Sequence, residues 1–307
     1  MAKRWPSTIG ASVNSLSKRS EREVTGRLPK IVRNACIAAL ALLASVLSSA
    51  QVDTSWTEDA RKSQPAADLS VFTFTRGAYD SVGGYSEAYY QYDGRVWARW
   101  ETDYPEADEN FTARLHQLTR VIAAKHAAKR TFDAKDLGDF PLLYVADPGW
   151  MMLTEKEQAG LKQFLLNGGL MWVDDFWGDA EWENFADAMR LVLPGIKWQE
   201  IAPDHPIFHM VFDMKSMPQI PALPMAMRGS GETAEPPSAH KWPAGSTDTP
   251  HLRGWFDDSG RLVVVATFNT DLGDGFEREA FGEWYFETFS TKAYMLGTNI
   301  VTYALTH

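Results

Sequence analysis

Residues 154–178 constrain the fold more than any other stretch. Thr154 precedes a run whose apolar positions Leu161, Phe164 and Leu165 fall on one helical face. Glu157 stands three residues after Thr154, the spacing of a capping box. The run closes at Asn167-Gly168-Gly169, where glycine supplies C-cap geometry. The apolar segment Leu170-Met-Trp-Val-Asp174 follows, then Asp175-Phe176-Trp177-Gly178. A helix, a Gly-Gly turn and a buried strand are the grammar of an open α/β sheet. Ligands of such sheets bind beyond the carboxyl ends of the strands. The pair Asp174 and Asp175 therefore stands where a site would be.

The same reading extends along the chain. Leu69-Ser-Val-Phe-Thr-Phe-Thr-Arg76 alternates and is β-rich, which predicts a first strand over 70–75 ending at Arg76. Gly77 to Asp93 reads as a loop or hairpin, and Arg95 to Trp100 as a short strand broken by Asp103-Tyr104-Pro105. Asn110 is placed to cap an amphipathic helix carrying Phe111, Leu115, Leu118, Val121 and Ile122. Near-continuous apolar residues over 139–146 predict a parallel strand. A helix is expected from Glu181 to Leu193, and one or two short strands about Asp204-His205-Pro206. Residues 217–250 are dense in Pro, Gly, Ser and Thr and read as a long loop. The β-branched run ending at Phe268 is the strongest strand, and a helix over 288–305 closes the chain. Helical segments separate the strands near 70–75, 141–146, 170–174 and 262–268, and parallel strands need crossovers of that length. One α/β domain over 69–307 is expected, with a mostly parallel sheet and helices on both sides.

The first fifty residues are of another kind. They hold eight Lys/Arg and two acids, and residues 51–307 hold 22 basic and 38 acidic side chains, a charge of −16. The uncharged, Ala- and Leu-rich run from Ala35 to Ala50 ends Ser48-Ser49-Ala50, small residues at cleavage-site positions before Gln51. Residues 1–50 read as a secretory signal peptide with a long basic leader, and 51–68 as a polar linker. The rival reading is an uncleaved membrane anchor, although the run is shorter than the roughly 20 apolar residues that span a bilayer. The only cysteine is Cys36, inside that segment. A chain cleaved at Ala50 has no thiol for catalysis, metal binding or disulfides. Its acidity excludes nucleic acid, whose binding needs basic patches, and favours cationic partners or a divalent metal.

Candidate polar residues collect after the strands. Asp174 and Asp175 point to opposite faces if the strand continues. One is then expected to meet a cation or polar ligand while the other caps a turn or helix. Asp271 and Asp274 follow the strongest strand with Asn269, and their oxygens suit a hard divalent cation. A capped turn is the alternative. Asp103 is expected to line the top of the sheet, with Arg76 pairing an Asp there. His205 and His209 lie four apart, but Pro206 argues against a zinc-binding helix, which leaves His205 alone as a site residue. Asp147 is expected at the same edge, and Trp150 or Trp177 at the rim of an acidic pocket. No Gly-x-Ser-x-Gly elbow, Walker loop, His-Glu-x-x-His or dinucleotide fingerprint is present.

Several of these fragments recur together, in order and spacing, in one family. They are Phe72-x-Phe74-x-Arg76, Asp103-Tyr-Pro105, Asn110 with Arg114-Leu115, and Glu157…Leu161…Asn167-Gly-Gly169 with Asp174-Asp-Phe176-x-Gly178. His205-Pro-Ile-Phe208, Gly260-Arg-Leu262, Asn269-x-Asp271-x-Gly-Asp274 and Ala293-Tyr-x-Leu-Gly-x-Asn299 complete the set. From about Leu69 to Ala304 the chain resembles the bacterial domain of unknown function (DUF) 4159. That resemblance implies a class I glutamine-amidotransferase-like fold, a flavodoxin-like three-layer sandwich. It does not carry over the Cys-His-Glu triad, for which the domain has no cysteine. Two functions are expected. One is an exported, non-catalytic binding or scaffold domain of the cell envelope, with an envelope protein or glycan as partner. The other is a metal-assisted hydrolase of envelope glycans or esters, with Asp174, Asp175, His205 and Asp271 as ligands or general base.

Overall fold

The computed structural model describes residues 66–83, 88–92, 94–229, 231–236 and 246–307. The signal segment, most of the linker, and positions 230 and 237–245 of the long loop lie outside these residues. Along the chain the strands are β1 (Thr75–Ala78), β2 (Asp80–Ser81), β3 (Tyr89–Tyr92), β4 (Arg95–Ala98), β5 (Ala128–Thr131), β6 (Leu142–Ala146), β7 (Met151–Met152), β8 (Leu170–Asp174), β9 (Trp198–Glu200), β10 (His251–Phe256) and β11 (Leu262–Phe268). The helices used below are α1 (Glu106–Leu118), α2 (Glu155–Leu166), α3 (Gly178–Val192), α4 (Leu223–Ala226), α5 (Leu272–Glu277) and α6 (Thr291–Thr306).

Seven strands form one mixed sheet in the order β5-β1-β6-β8-β11-β10-β9. The first five are parallel, and β10 and β9 add antiparallel at one side. Numbered by chain order, the parallel strands run 2-1-3-4-5, the flavodoxin-like order, and that order reverses between β1 and β6. Alternation sends successive side chains to opposite faces. Leu143, Val145, Met171, Val173, Val264 and Ala266 belong to one core with Leu161 and Phe164 of α2 and Phe185 and Met189 of α3. Leu142, Tyr144, Leu170, Trp172 and Val265 belong to the other, with Phe111 and Leu115 of α1, Phe276 of α5 and Leu296 and Ile300 of α6. The sheet is thus covered on both faces, which is why its central strands are apolar throughout. Each fully buried Leu, Val or Phe contributes roughly 1.5–3 kcal/mol, so two such cores need no disulfide. Among the described residues, no helix is long and apolar enough to cross a membrane.

Local chemistry explains the elements that position the site. Thr154 accepts the Glu157 amide, and the Glu157 carboxylate accepts the Thr154 amide at 3.0 Å, closing the expected capping box of α2. Gly168 then turns at φ 113° into β8. Elsewhere the elements depart from expectation. The first sheet strand is Thr75–Ala78, and Phe72 makes only an isolated bridge to Ala123. Arg76 is therefore inside the strand and does not end it. Pairing with β5 and β6 sets that register, and β propensity alone does not report it. Helix α1 starts at Glu106 after Pro105, and Asn110 is no cap; its side chain donates to the Phe276 carbonyl at 3.0 Å. Helix α3 starts at Gly178, three residues before the expected Glu181. Strands β5 and β10 were not foreseen, and the turn expected after β11 is the start of α5.

Candidate functional site

Three of the five parallel strands end on a left-handed residue. Asp147 follows β6, Asp175 follows β8 and Asn269 follows β11, with φ of 54°, 58° and 58°. Asp103, at φ 62°, is the fourth non-glycine residue of this kind among those described. Asp and Asn enter this region more readily than other residues because a short polar side chain can hydrogen-bond locally. Such residues cluster at functional sites. The turn at Asp175 separates the two adjacent carboxylates. Asp174 ends β8 on the Trp172 face and is fully buried. It accepts Thr267 Oγ1 at 2.5 Å, the Gly273 amide at 2.9 Å and Tyr144 Oη at 3.0 Å. Asp174 thus binds an amide in the first turn of α5, while Asp175 opens outward.

Outward lies a cleft of ≈ 640 Å³ at the carboxyl edge, beside the point where strand order reverses. Tyr90, Trp150 and Trp177 are among its walls. Asp103, Asp147, Asp175, Glu181, Glu235, Asp271 and Asp274 also line it, against Arg99 and Arg278. The cleft is therefore strongly negative, and its acids are not equally balanced. Asp147 pairs with Arg99 at 3.0 Å, and that guanidinium lies 4.3 Å from the Trp150 ring centroid. Arg278 holds Glu277 at 2.7 Å and Asp274 at 3.4 Å. Glu181 accepts the Trp177 amide at 2.7 Å.

Asp103, Asp175 and Asp271 are left over. One oxygen from each lies within 4.8 Å of the others. Among the described residues, the Asp175 side chain accepts only the Trp177 indole at 3.2 Å, and Asp271 Oδ1 accepts the Asp274 amide at 2.7 Å as the N-cap of α5. Among the described residues, the buried Oδ2 of Asp103 has no hydrogen-bond partner. Gly273 makes that position accessible: a Cβ there would stand 2.3 Å from Asp103 Oδ2. Burial raises all three carboxyls well above their ordinary value, and like charges add to it. The neighbours are Asp274 and Glu277 for Asp103, Asp147 and Asp103 for Asp175, and Asp175 and Asp274 for Asp271. Ionising such a group is unfavourable until a proton or a positive partner arrives. These three are the described residues best placed to hold a metal; Asp103 also belongs to a second group, with Asp274 and Glu277. In that second group, Arg278 already supplies a positive charge.

The residues expected at the site fall into three places. Asp103, Asp175, Asp271 and Asp274 line the cleft, as do Asp147, Trp150 and Trp177. Asp174 and Arg76 lie beneath it. Arg76 is fully buried on Asp108 and donates to the carbonyls of Trp100 at 3.3 Å and Thr102 at 2.7 Å. It fixes the backbone that carries Asp103. His205 does not approach the cleft. It caps the 3-10 turn Pro206–Phe208 and packs near Phe256 and Tyr303. Phe256 pairs with Leu262, the first residue of β11, so His205 sits at the opposite edge of the sheet. His209 faces Asp213 at 2.6 Å. Arg99, Arg278, Tyr90, Glu181 and Glu235 had no signal in the sequence, except that Arg278 follows Asp274 by one helical turn.

No curated protein matches the chain. The model of the domain of unknown function DUF4159 matches residues 88–305, more than two thirds of the sequence. With that span covered, the chain belongs to the DUF4159 family.

Proposed function

We propose that the protein is an exported binding or scaffold domain of the bacterial cell envelope, and that the carboxyl-edge cleft takes its ligand. The observation that carries this reading is the set of three carboxylates, Asp103, Asp175 and Asp271, which make no ion pair among the described residues, inside a cleft walled by tryptophan. A stable interior pairs its charges, as Arg76 and Asp108 do. Unpaired ones suit a ligand that brings hydroxyls, ammonium groups or a cation. Trp150 and Trp177 are packed into the cleft wall, at 4% and 1% exposure, and hold its shape. Export rests on the run Ala35 to Ala50 and its small-residue end. Kinship with the amidotransferase-like fold is supported by the 2-1-3-4-5 strand order. The domain has no cysteine for that chemistry. The test is titration of the whole chain with cell-wall glycan fragments and basic envelope peptides. Binding to one of these classes is expected, about tenfold weaker in Trp150→Ala and Asp175→Asn, a loss of about 1.4 kcal/mol. Binding that ignores both substitutions would place the ligand elsewhere.

A second reading, a metal-assisted hydrolase of envelope glycans or esters, is favoured by one observation. Asp175 and Asp271 converge with Asp103 at a separation one ion can bridge. His205 offers no base for it, being at the other edge of the sheet. Chelator-sensitive turnover that is lost in Asp271→Asn would establish this reading over the first.

A further inference from the structure

We infer that Asp103, Asp175 and Asp271 form a binding site for one hard divalent cation. The inference rests on reading the cleft as the ligand site and names one thing the site holds. Two observations carry it besides the clustering itself. Among the described residues, the buried Oδ2 of Asp103 has no hydrogen-bond partner, and a buried acceptor is almost always satisfied. Around it, arginines pair directly with Asp108, Asp147, Asp274 and Glu277, whereas among the described residues none forms an ion pair with these three, and Arg76 and Arg278 reach Asp103 only from a distance.

The donor set decides the class of ion. All three ligands are carboxylate oxygens, which suit hard cations and disfavour copper or thiolate-type sites. Two oxygens on one ion lie no farther apart than twice the metal–oxygen distance. That limit is about 5 Å for Ca²⁺ and about 4.2 Å for Mg²⁺. The three oxygens lie within 4.8 Å of one another, so at most a small side-chain shift brings all three onto one ion. The remaining coordination positions open into the cleft, where water or ligand hydroxyls would complete the sphere. Such an ion would present a positive charge between the walls formed by Trp150 and Trp177.

The three positions also allow a clean test. Asp103 and Asp175 have positive φ, which asparagine tolerates. Asp271 is a helix N-cap, where asparagine serves equally. Asp103→Asn, Asp175→Asn and Asp271→Asn therefore remove charge and leave the backbone in place. Asp213→Asn, on the exposed His209 and Lys215 side chains, serves as the control for diffuse counter-ion effects. Isothermal titration of the chelator-treated whole chain with Ca²⁺, Mg²⁺ or Mn²⁺ alone should show one saturable site for at least one of these cations. Affinity should fall at least about tenfold in each of the three variants and stay unchanged in Asp213→Asn. No saturable heat up to about 10 mM cation, beyond the weakest range of oxygen-ligand sites, would overturn the inference. So would binding that survives all three variants, or that Asp213→Asn weakens equally. Glycan or peptide binding that persists with chelator while cation binding is absent would sink this inference and leave the proposed function standing. Cation binding without either ligand would do the reverse.

Discussion

Asp174 exposes none of its surface, and Asp175, one residue on, opens into the cleft. Removing Asp174 leaves the Tyr144 hydroxyl and the Gly273 amide without their acceptor, while the Thr267 hydroxyl keeps the Val173 carbonyl at 3.0 Å. A buried donor left unsatisfied costs about 1–3 kcal/mol. Asp174→Ala should therefore lower stability by about 3 kcal/mol in urea unfolding, while cleft binding by the folded fraction is unchanged. Titration offers a second check. Burial pushes the Asp174 carboxyl up to about 6, outweighing the hydrogen bonds from Thr267, Gly273 and Tyr144 that favour its charge. The folded state then holds this proton more tightly than the unfolded chain, whose value is 3.8. Its contribution to stability is whole below 3.8 and is lost as pH rises through 6, about 3 kcal/mol in all. The margin of the native protein over Asp174→Asn should accordingly narrow between pH 4 and pH 7 in urea unfolding. A margin that widens over that range would contradict the assignment.

Among the elements, β1 and α1 are joined by the buried Arg76–Asp108 pair, and the same guanidinium holds the carbonyls of Trp100 and Thr102. Arg76→Met strands Asp108 as an uncompensated buried charge, at a cost of about 3–5 kcal/mol. The double change Arg76→Met with Asp108→Leu should recover most of that in equilibrium unfolding. If the double variant is no more stable than the single one, the pair is not what joins the two elements. The legibility of the elements followed the range of the forces that form them. Helix α2 and strand β8 were readable because a capping box, a glycine turn and an apolar run are local. Helix α1 was started too late because its first turn, Glu106 to Glu109, is acidic and shows no apolar period. Strand β10, His251-Leu-Arg-Gly-Trp-Phe256, was hidden by Gly254 beside a proline-rich loop. A Cβ at Gly254 would stand 2.4 Å from Leu262. That close approach to β11 exists only in the folded sheet.

At the scale of the molecule, the site exists because parallel strands deliver their carboxyl ends to one edge. Asp175 and Asp271 could be placed there from the sequence, since each follows an identifiable strand. Asp103 follows no sheet strand and reaches the cleft through a turn anchored by Arg76, and His205 was misplaced because nothing local says which edge its loop visits. The central claim is that Asp103, Asp175 and Asp271 are gathered for a ligand and not for stability. Like charges crowded in a partly buried cluster should then weaken the ligand-free fold. The most direct measurement is thermal unfolding of native protein and Asp175→Asn, with chelator, at pH 8. Asparagine can still accept the Trp177 indole, so only the charge is lost. The expected result is a gain of about 1 kcal/mol, roughly 2–4 °C for a domain of this size. A loss of stability comparable to that of Asp174→Ala would show that Asp175 belongs to the scaffold and that the cleft was not built to hold a ligand.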